Sequence, residues 1–533
     1  MGRFFPKGTG TLTRFILRRD RFRIPLWLIG ISFFTLMVPI AFEELYASQE
    51  ERDLMAETME NPAMTAMVGP GDLANYTVGA MTAHQMLLMT SLVVGLMSIL
   101  LVTRHTRTDE EAGRIEMIRS LPVGRLSNLH ATWLVLILTH VLLALVTGFG
   151  LFALGIESMD LEGSLLYGAT LGATGIFFTG MTAVFAQLSE NSRGVIGYSV
   201  AFLLIAYLVR AVGDVGNETL SWFSPLGWLT QTEAYSTNNW WPLLLFIGGS
   251  VFLFILSSYL NAIRDLEAGF FPAKPGKEHA SAFLQTPIGL AFRLQRAGMI
   301  AWAVGLFVLG LAYGSVMGDL ESFFQGNEML EQLLAEGEGY TLTEQFIPML
   351  MIVMGILATV PPLMAMTKLR SEEKKNHTEL LLSKSLSRPK LMGSYVILSV
   401  VNGLIMTSFA AIGFWLAGSA VMEEGFEFGT LFASAMVYYP AMLVMIGVAV
   451  FLIGWLPKQT GLIWFYLVYS FIVLYLGDLF QFPNWLGKLS PFGYIPQLPV
   501  DEMQWLPVIS LVVIAAVFIV VGLIGYRKRD IEG

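Results

Sequence analysis

The chain has 533 residues, of which 55% are hydrophobic and only 14% charged, and it contains no cysteine. A soluble domain carries roughly 45–50% apolar and about 25% charged residues, so a water-soluble globular protein is excluded, as are disulfides and thiolate chemistry. The net charge of −9 does not describe an acidic surface, because acidic and basic residues segregate by loop.

Residues 11–23, TLTRFILRRDRFR, form a basic amphipathic stretch. It suits the membrane interface, with Phe15, Ile16 and Phe22 down and arginines on headgroups. Apolar runs follow at 24–42, 83–103, 130–154, 164–188, 195–213, 241–261, 297–317, 346–367, 394–420, 429–454, 461–480 and 506–526. Each is long enough to cross roughly 30 Å of hydrocarbon. The first run lacks a small-residue cleavage site, so it is read as a retained crossing and not a signal peptide. A second amphipathic stretch, 283–296, precedes the seventh run, and a Pro/Gly-containing joint at 269–280 precedes that stretch. The predicted fold is an all-α polytopic membrane protein with about twelve crossings.

Alternating these crossings from a cytoplasmic N-terminus puts 29 of the 32 Lys and Arg in cytoplasmic segments, with only Arg52, Arg210 and Lys488 outside. The same division puts 27 of the 41 acidic residues outside. Such a positive-inside bias tests every boundary together, since a missed helix would invert the loops after it. Both termini are therefore expected in the cytoplasm.

A repeat divides the chain. Residues 107–125 and 370–388 match at a shift of 263 through Arg107/Arg370, Glu110/Glu373, Glu116/Glu379, Ser120/Ser383 and Arg125/Arg388. Gln85 and Gly95 match Gln345 and Gly355, Asp214 matches Asp478, and Arg18, Arg21 and Trp27 match Arg293, Arg296 and Trp302. The stretch 224–228 matches 490–494. Two halves follow, 1–270 and 271–533, with six crossings each. An even number gives them the same orientation, as two parallel six-helix repeats with both charged loops in the cytoplasm. Between the crossings, 43–80 and 318–345 read as acidic and helix-prone. No soluble segment exceeds about 40 residues, too short for a catalytic domain of its own.

In the first charged loop, Asp109, Glu110 and Glu111 are expected near the start of a short helix, with Arg119 or Arg125 later to complement its dipole and Pro122 to end it. Ile115, Met117 and Ile118 leave one apolar face, which fits the groove of a partner. A solvated connector would explain one such loop. It does not explain acidic and basic residues recurring in register. The second copy has Asn376 in place of Gly113 and Ser385 in place of Pro122, so unequal grips on a partner are expected.

The pattern E-x-x-G-x-x-E-x-x-x-S-x-P-x-x-R from Glu110 to Arg125, the interfacial stretch before the first crossing and six crossings per half resemble ABC-2-type exporter permeases. With S-P-x-G-W at 224–228, the fused twelve-helix form resembles permeases of polyketide (tetronasin-like) antibiotic export. The resemblance covers the whole chain. It implies two copies of a separate ATP-binding subunit docking on cytoplasmic loops 104–128 and 368–392, and a hydrophobic or amphiphilic small-molecule substrate. No G-x-x-x-x-G-K-[ST] phosphate loop is present, so ATP and Mg are expected on the partner subunit, with no cofactor, catalytic residue or metal in this chain. The partner-coupling candidates are Arg107, Glu110, Glu116, Ser120, Arg125, Arg370, Glu373, Glu379, Ser383 and Arg388.

The resemblance also places the substrate path on the second, fifth, eighth and eleventh crossings. The candidates there are Met86, Met89, Met97, Met349, Met351, Met354, Trp464, Phe465, Tyr466 and Tyr469, malleable or aromatic side chains suited to promiscuous apolar contact. Packing or lipid contact is the ordinary role of such residues. Short re-entrant helices after the fifth and eleventh crossings would put Pro225, Trp228, Pro491 and Tyr494 at an outer gate, the alternative being a Pro/Gly turn with interfacial aromatics.

Other signals are weak. Gly69-Pro70-Gly71-Asp72 imitates an intramembrane protease motif but falls outside the apolar runs. His140 stands alone within a crossing, where packing suits it better than proton transfer. Arg210 is placed to pair with Asp214 at i+4. Lipid is an expected partner and nucleic acid is not, and the bacterial plasma membrane is the expected location. Two alternatives stand beside the ATP-driven exporter: an ion-coupled secondary transporter, which would need a carboxylate at mid-membrane, and a non-transport scaffold using the same ATP-binding partner.

Overall fold

The computed structural model describes residues 6–60, 62–266, 268–271, 278–315, 317, 342–383, 386–422, 427–475, 477 and 482–530. Asp478, Ser385, most of 318–345 and the middle of the 269–280 joint lie outside the described residues. The chain divides into two compact units, Met1–Pro275 and Gly276–Gly533.

In the first unit the helices are α1 (Thr9–Arg19), α2 (Arg23–Leu45), α3 (Gln49–Met59), α4 (Pro62–Val68), α5 (Val78–His105), α6 (Arg107–Glu111), α7 (Arg114–Arg119), α8 (Ser127–Ala153), α9 (Leu161–Leu188), α10 (Ser192–Gly216), α11 (Glu218–Ser221), α12 (Pro225–Thr230) and α13 (Pro242–Ile263). In the second they are α14 (Pro287–Ser315), α15 (Leu342–Glu373), α16 (His377–Leu382), α17 (Arg388–Val421), α18 (Phe428–Met436), α19 (Tyr439–Trp455), α20 (Leu462–Tyr475), α21 (Asn484–Gly487) and α22 (Trp505–Lys528). Among the described residues eleven helical stretches are long and apolar enough to cross a membrane, α18 and α19 together forming one of them. The eleventh predicted run, 461–480, appears as the 14-residue α20, with most of its remainder outside the described residues. The chain is an all-helical polytopic membrane protein.

Helix starts follow the local sequence. Thr77 Oγ1 accepts from Ala80 N at 3.3 Å, Asp160 Oδ1 from Gly163 N at 2.9 Å and Asn191 Oδ1 from Gly194 N at 2.7 Å. Each satisfies a first-turn N–H that lipid could not. Between spans, small residues let backbones touch, as membrane packing requires. A Cβ on Gly168 of α9 would stand 2.2 Å from the Ala144 carbonyl oxygen of α8, and one on Gly310 of α14 would stand 2.3 Å from that of Ala410 in α17. The core of the first unit lies around α5, α8 and α9, through Val94, Met97, Leu136, Leu143, Leu171 and Phe178. That of the second lies around α15, α17 and α19, through Leu363, Met366, Ala411, Met442, Met445 and Val450.

The two amphipathic stretches differ. α1 is a separate helix, broken from α2 at residues 20–22, whereas 283–296 largely merges into the continuous 29-residue α14. Asp20 accounts for the break. Fully buried, it pairs with His105 at 2.6 Å and Arg104 at 3.3 Å, and its counterpart at the offset of Arg18/Arg293 is Gln295, which has no charge to anchor.

A candidate coupling site built twice

Asp109 and Glu110 stand in the first turn of a short helix, as expected, but that helix ends at Glu111, and Arg119 lies on a second one. The chain kinks at Thr106 into α6, where Asp109 and Glu110 sit, then turns at Gly113 and restarts as α7. The turn is left-handed, with φ of 68° at Gly113 and 59° at Asn376. Glycine adopts this region freely, and asparagine is among the few other residues that do. The exchange of Gly113 for Asn376 therefore preserves the elbow. Gly113 N donates to Glu110 O at 2.9 Å and Asn376 N to Glu373 O at 2.8 Å. Beyond the turn, Ser120 Oγ donates to Met117 O at 2.8 Å and Ser383 Oγ to Leu380 O at 3.0 Å.

Each elbow is held by the same ion pair. Glu110 receives Nη1 and Nη2 of Arg264 at 3.0 and 2.9 Å. Glu373 receives Nη2 of Arg529 on both oxygens, at 2.8 and 2.7 Å. Arg107 stands 3.4 Å from Glu110 and donates to the carbonyls of Ala186 and Ala268 at 2.9 and 2.7 Å. Arg370 donates to Glu373 at 3.0 Å and to Pro457 O at 3.2 Å. Arg125 donates to the Arg264 carbonyl, and Arg388 to that of Arg529 at 2.6 Å. In each unit one carboxylate thus ties the elbow to the end of the last span, and a second arginine ties it to the end of the fourth. The Arg264–Glu110 contact is a two-point guanidinium–carboxylate fork, among the stronger polar links, whereas Arg529 reaches Glu373 through Nη2 alone.

Neighbouring groups extend the link in the first unit. Asp109 receives Arg19 of α1 at 2.7 Å and also pairs with Arg114. Glu111 accepts from Ser192 N and Oγ, both at 2.7 Å, at the start of α10. Burial opposes ionisation of Asp20, yet its hydrogen bond to His105 and the charges of His105, Arg104 and Arg19 outweigh this and hold the carboxyl below its ordinary value. The interfacial helix, the elbow and the fifth span are joined by charge. In the second unit His377 and Lys368 hold Glu372 at 2.7 and 2.8 Å.

The coupling candidates accordingly fall into two sets. Arg107, Glu110, Arg370 and Glu373 are buried. Their side chains brace the elbow and are not presented to a partner, because leaving two charges of this kind unpaired would cost several kcal/mol. Arg125 and Arg388 grip backbone. Glu116, Ser120, Glu379 and Ser383 are exposed, beside Met117 and Leu380 at 67% and 69% exposure. Sequence reasoning missed Arg264 and Arg529. The signal was present: Arg264-Asp265 and Arg529-Asp530 recur at a shift of 265, each just past the last span of its half.

A Cβ at Gly113 would meet nothing within 4 Å, so only the backbone opposes a side chain there. Gly113→Ala is expected to cost ~1–2 kcal/mol, and Asn376→Gly close to nothing. Amide hydrogen exchange across residues 107–120 and 370–383 measures both. Equal loss of protection in the two variants would contradict the shared elbow.

The other candidates are scattered. Met97, Met351 and Met354 are buried in the packing of their own units. Met86, Met89, Trp464, Tyr466 and Tyr469 are half-buried, while Met349 and Phe465 are exposed. Tyr466 and Tyr469 spend their hydroxyls on Leu489 O and Leu486 O, at 2.7 and 2.9 Å. Pro225 opens α12, where Ser224 Oγ accepts from Leu226 N at 3.1 Å. Trp228 packs between Phe177 and Phe246, at centroid distances of 5.6 and 5.3 Å. Pro491 is buried in a 3-10 turn, but Tyr494 is exposed. Pro225 and Pro491 therefore occupy similar turns, and Trp228 and Tyr494 dissimilar surroundings. Arg210 pairs with Asp214 at 3.0 Å and donates to Ala66 O at 2.7 Å, holding the C-terminal turn of α4.

Comparison with known proteins agrees with this architecture. The family model of the multidrug efflux system permease Rv1217c, C-terminal domain, matches residues 11–259 and 284–527. The multidrug efflux system permease protein Rv1217c of Mycobacterium tuberculosis is 34% identical over 530 residues, covering 98% of this chain and 95% of that protein. The chain belongs to the Rv1217c family of multidrug efflux system permeases and is a multi-pass protein of the bacterial plasma membrane.

Proposed function

We propose that this chain is the membrane-spanning subunit of an ATP-driven exporter of the ABC-2 type. It moves hydrophobic or amphiphilic compounds outward, and polyketide antibiotics of the tetronasin kind have that chemistry. Two copies of a separate ATP-binding subunit, which would hold ATP and Mg, dock on loops 104–128 and 368–392 at the cytoplasmic side. The observation that carries this reading is the duplicated elbow, braced from within by Glu110–Arg264 and Glu373–Arg529 and offering Glu116–Met117 and Glu379–Leu380 to solvent. An exposed apolar residue beside a carboxylate on a rigid support suits a groove in a soluble partner.

ATP-driven closure of the partner subunits pushes on the elbows. Because each is tied to the ends of two spans, to one by an ion pair and to the other by an arginine–carbonyl hydrogen bond, the push reaches those helices and not the loop alone. Met86, Met89, Met349, Trp464, Phe465, Tyr466 and Tyr469 are the path residues with accessible surface in this scheme. Pro225 and Pro491 set the outer turns that open.

Replacing Met117 and Leu380 together by Glu tests the reading. Both side chains stand in solvent, so folding is expected to be unchanged. Co-purification with the ATP-binding subunit is expected to fall at least about tenfold, since truncating an anchor costs 1.4 kcal/mol or more. Undiminished association in the double variant would reject the elbows as the docking sites.

A further inference from the structure

At the Val78 end of α5, opposite the elbow, α4 and residues 69–77 lie as a strap across α5, α10 and α12. The Gly69-Pro70-Gly71-Asp72 motif seats it. Gly69 has a φ of 101°, and a Cβ there would stand 2.7 Å from Thr230 Cγ2. A Cβ on Gly71 would stand 2.6 Å from the His84 ring. Both positions therefore need glycine, the first for its backbone and both for close approach. Nε2–H of His84 donates to Gly69 O at 2.9 Å, and its Nδ1 accepts from Tyr76 Oη at 2.8 Å, since a carbonyl can only accept. Asp72 receives Ser236 Oγ at 2.6 Å.

The other fastening is Arg210, fully buried near the end of α10. Its guanidinium donates to the carbonyls of Thr65, Ala66 and Met67 at 3.3, 2.7 and 3.3 Å, in the last turn of α4, where a cation is favoured. The Tyr207 ring lies 4.7 Å from the same guanidinium, and its hydroxyl donates to Met67 O at 2.9 Å. At the offset of Asp214 and Asp478, Leu474 stands where Arg210 does, so the second unit has no arginine for such a fastening.

Both fastenings can open without damage to the unit. The apolar cluster under the strap is small, formed by Ala56, Met59, Val68, Tyr76 and Met81, and separate from the core around α5, α8 and α9. Arg210 also keeps Asp214 at 3.0 Å on its own helix, so letting go of the carbonyls breaks bonds to neutral acceptors and strands no charge. Beneath the closed strap a cavity of about 40 Å³ lies between Val68, Pro70, Ala80, Leu88 and Leu229, room for about two waters and not for a drug-sized molecule. We propose that the strap is a latch. Closed on Arg210, it holds the ends of α5 and α10 together, and it lifts from Arg210 when the unit opens at that end. The proposal rests on the exporter reading for the occasion of opening, since α5 and α10 are path crossings there, but not for the latch itself.

The chain has no cysteine, so one introduced thiol reports the latch. Ala80→Cys puts it beneath the strap, at a position only 6% exposed. Its reaction with a water-soluble maleimide is followed in the full chain in lipid nanodiscs. Arg210→Lys keeps a charge beside Asp214, but an ammonium cannot span the carbonyls, and labelling should quicken at least about tenfold. Tyr207→Phe, which removes only a hydroxyl, should quicken it about three- to tenfold and keeps the test valid if the larger change unfolds the unit. Equal rates in all three backgrounds overturn the latch. Met67→Cys with Tyr207→Cys, joined by a short reducible bis-methanethiosulfonate, tests release. Export of Hoechst 33342, a fluorescent bisbenzimidazole, by this chain with the proposed ATP-binding subunit should fall at least about tenfold on tethering and return on reduction. Undiminished export by the tethered chain overturns release and leaves the strap a fixed brace. A chain that exports nothing even untethered removes the exporter reading, and the labelling rates alone then decide the latch.

Discussion

Glu110→Gln, or Glu373→Gln in the second unit, is expected to release its elbow at a cost of about 3–5 kcal/mol, the usual penalty for stranding a buried charge. Each carboxylate answers two guanidinium groups, Arg264 and Arg107 in one unit and Arg529 and Arg370 in the other. Glutamine keeps the shape and removes the charge, leaving two buried cations facing each other. The loss is local, because the apolar packing of the spans does not depend on the pair. Amides of residues 107–120, or 370–383, should exchange roughly two to three orders of magnitude faster, at 1.4 kcal/mol per tenfold. Adding Arg264→Met should recover part of the loss, since one uncompensated cation leaves. Arg264→Lys should not replace the native residue, because an ammonium cannot make the two-point contact. Glu116→Gln, on the exposed face, is the control and should change exchange little. Unchanged protection in Glu110→Gln would mean that the ion pair does not hold the elbow.

The spans were legible in the chain because lipid imposes length and apolarity on every crossing. The described helices begin and end within a few residues of most predicted runs, such as α9 at Leu161–Leu188 against 164–188. The repeat was legible because Glu110, Ser120 and Arg125 recur in register. Their direction was not. A glutamate in a surface loop reads as solvent-facing until its partner is known, and the partners Arg264 and Arg529 lie more than 150 positions away in sequence. Nor does sequence weigh Gly113 against Asn376 as equals. The equality appears only when both show the same sign of φ. The expected asymmetry between the loops therefore does not arise from that exchange, and its second basis, Ser385, lies outside the described residues.

How transport is energised is the second large expected effect. A secondary transporter needs a titratable carboxylate along its path, and among the described residues the carboxylate of the fifth crossing, Asp214, is held in an ion pair with Arg210 at 3.0 Å. The charged machinery is concentrated instead at the elbows, where a partner would push. The most direct measurement is uptake of Hoechst 33342 into inside-out vesicles that contain this chain with the proposed ATP-binding subunit. The account predicts ATP-dependent uptake that persists when the proton gradient is collapsed. It also predicts loss of uptake, by an order of magnitude or more, when the ATP-binding subunit is omitted. Uptake driven by an imposed proton gradient, with neither ATP nor the second subunit present, would contradict it.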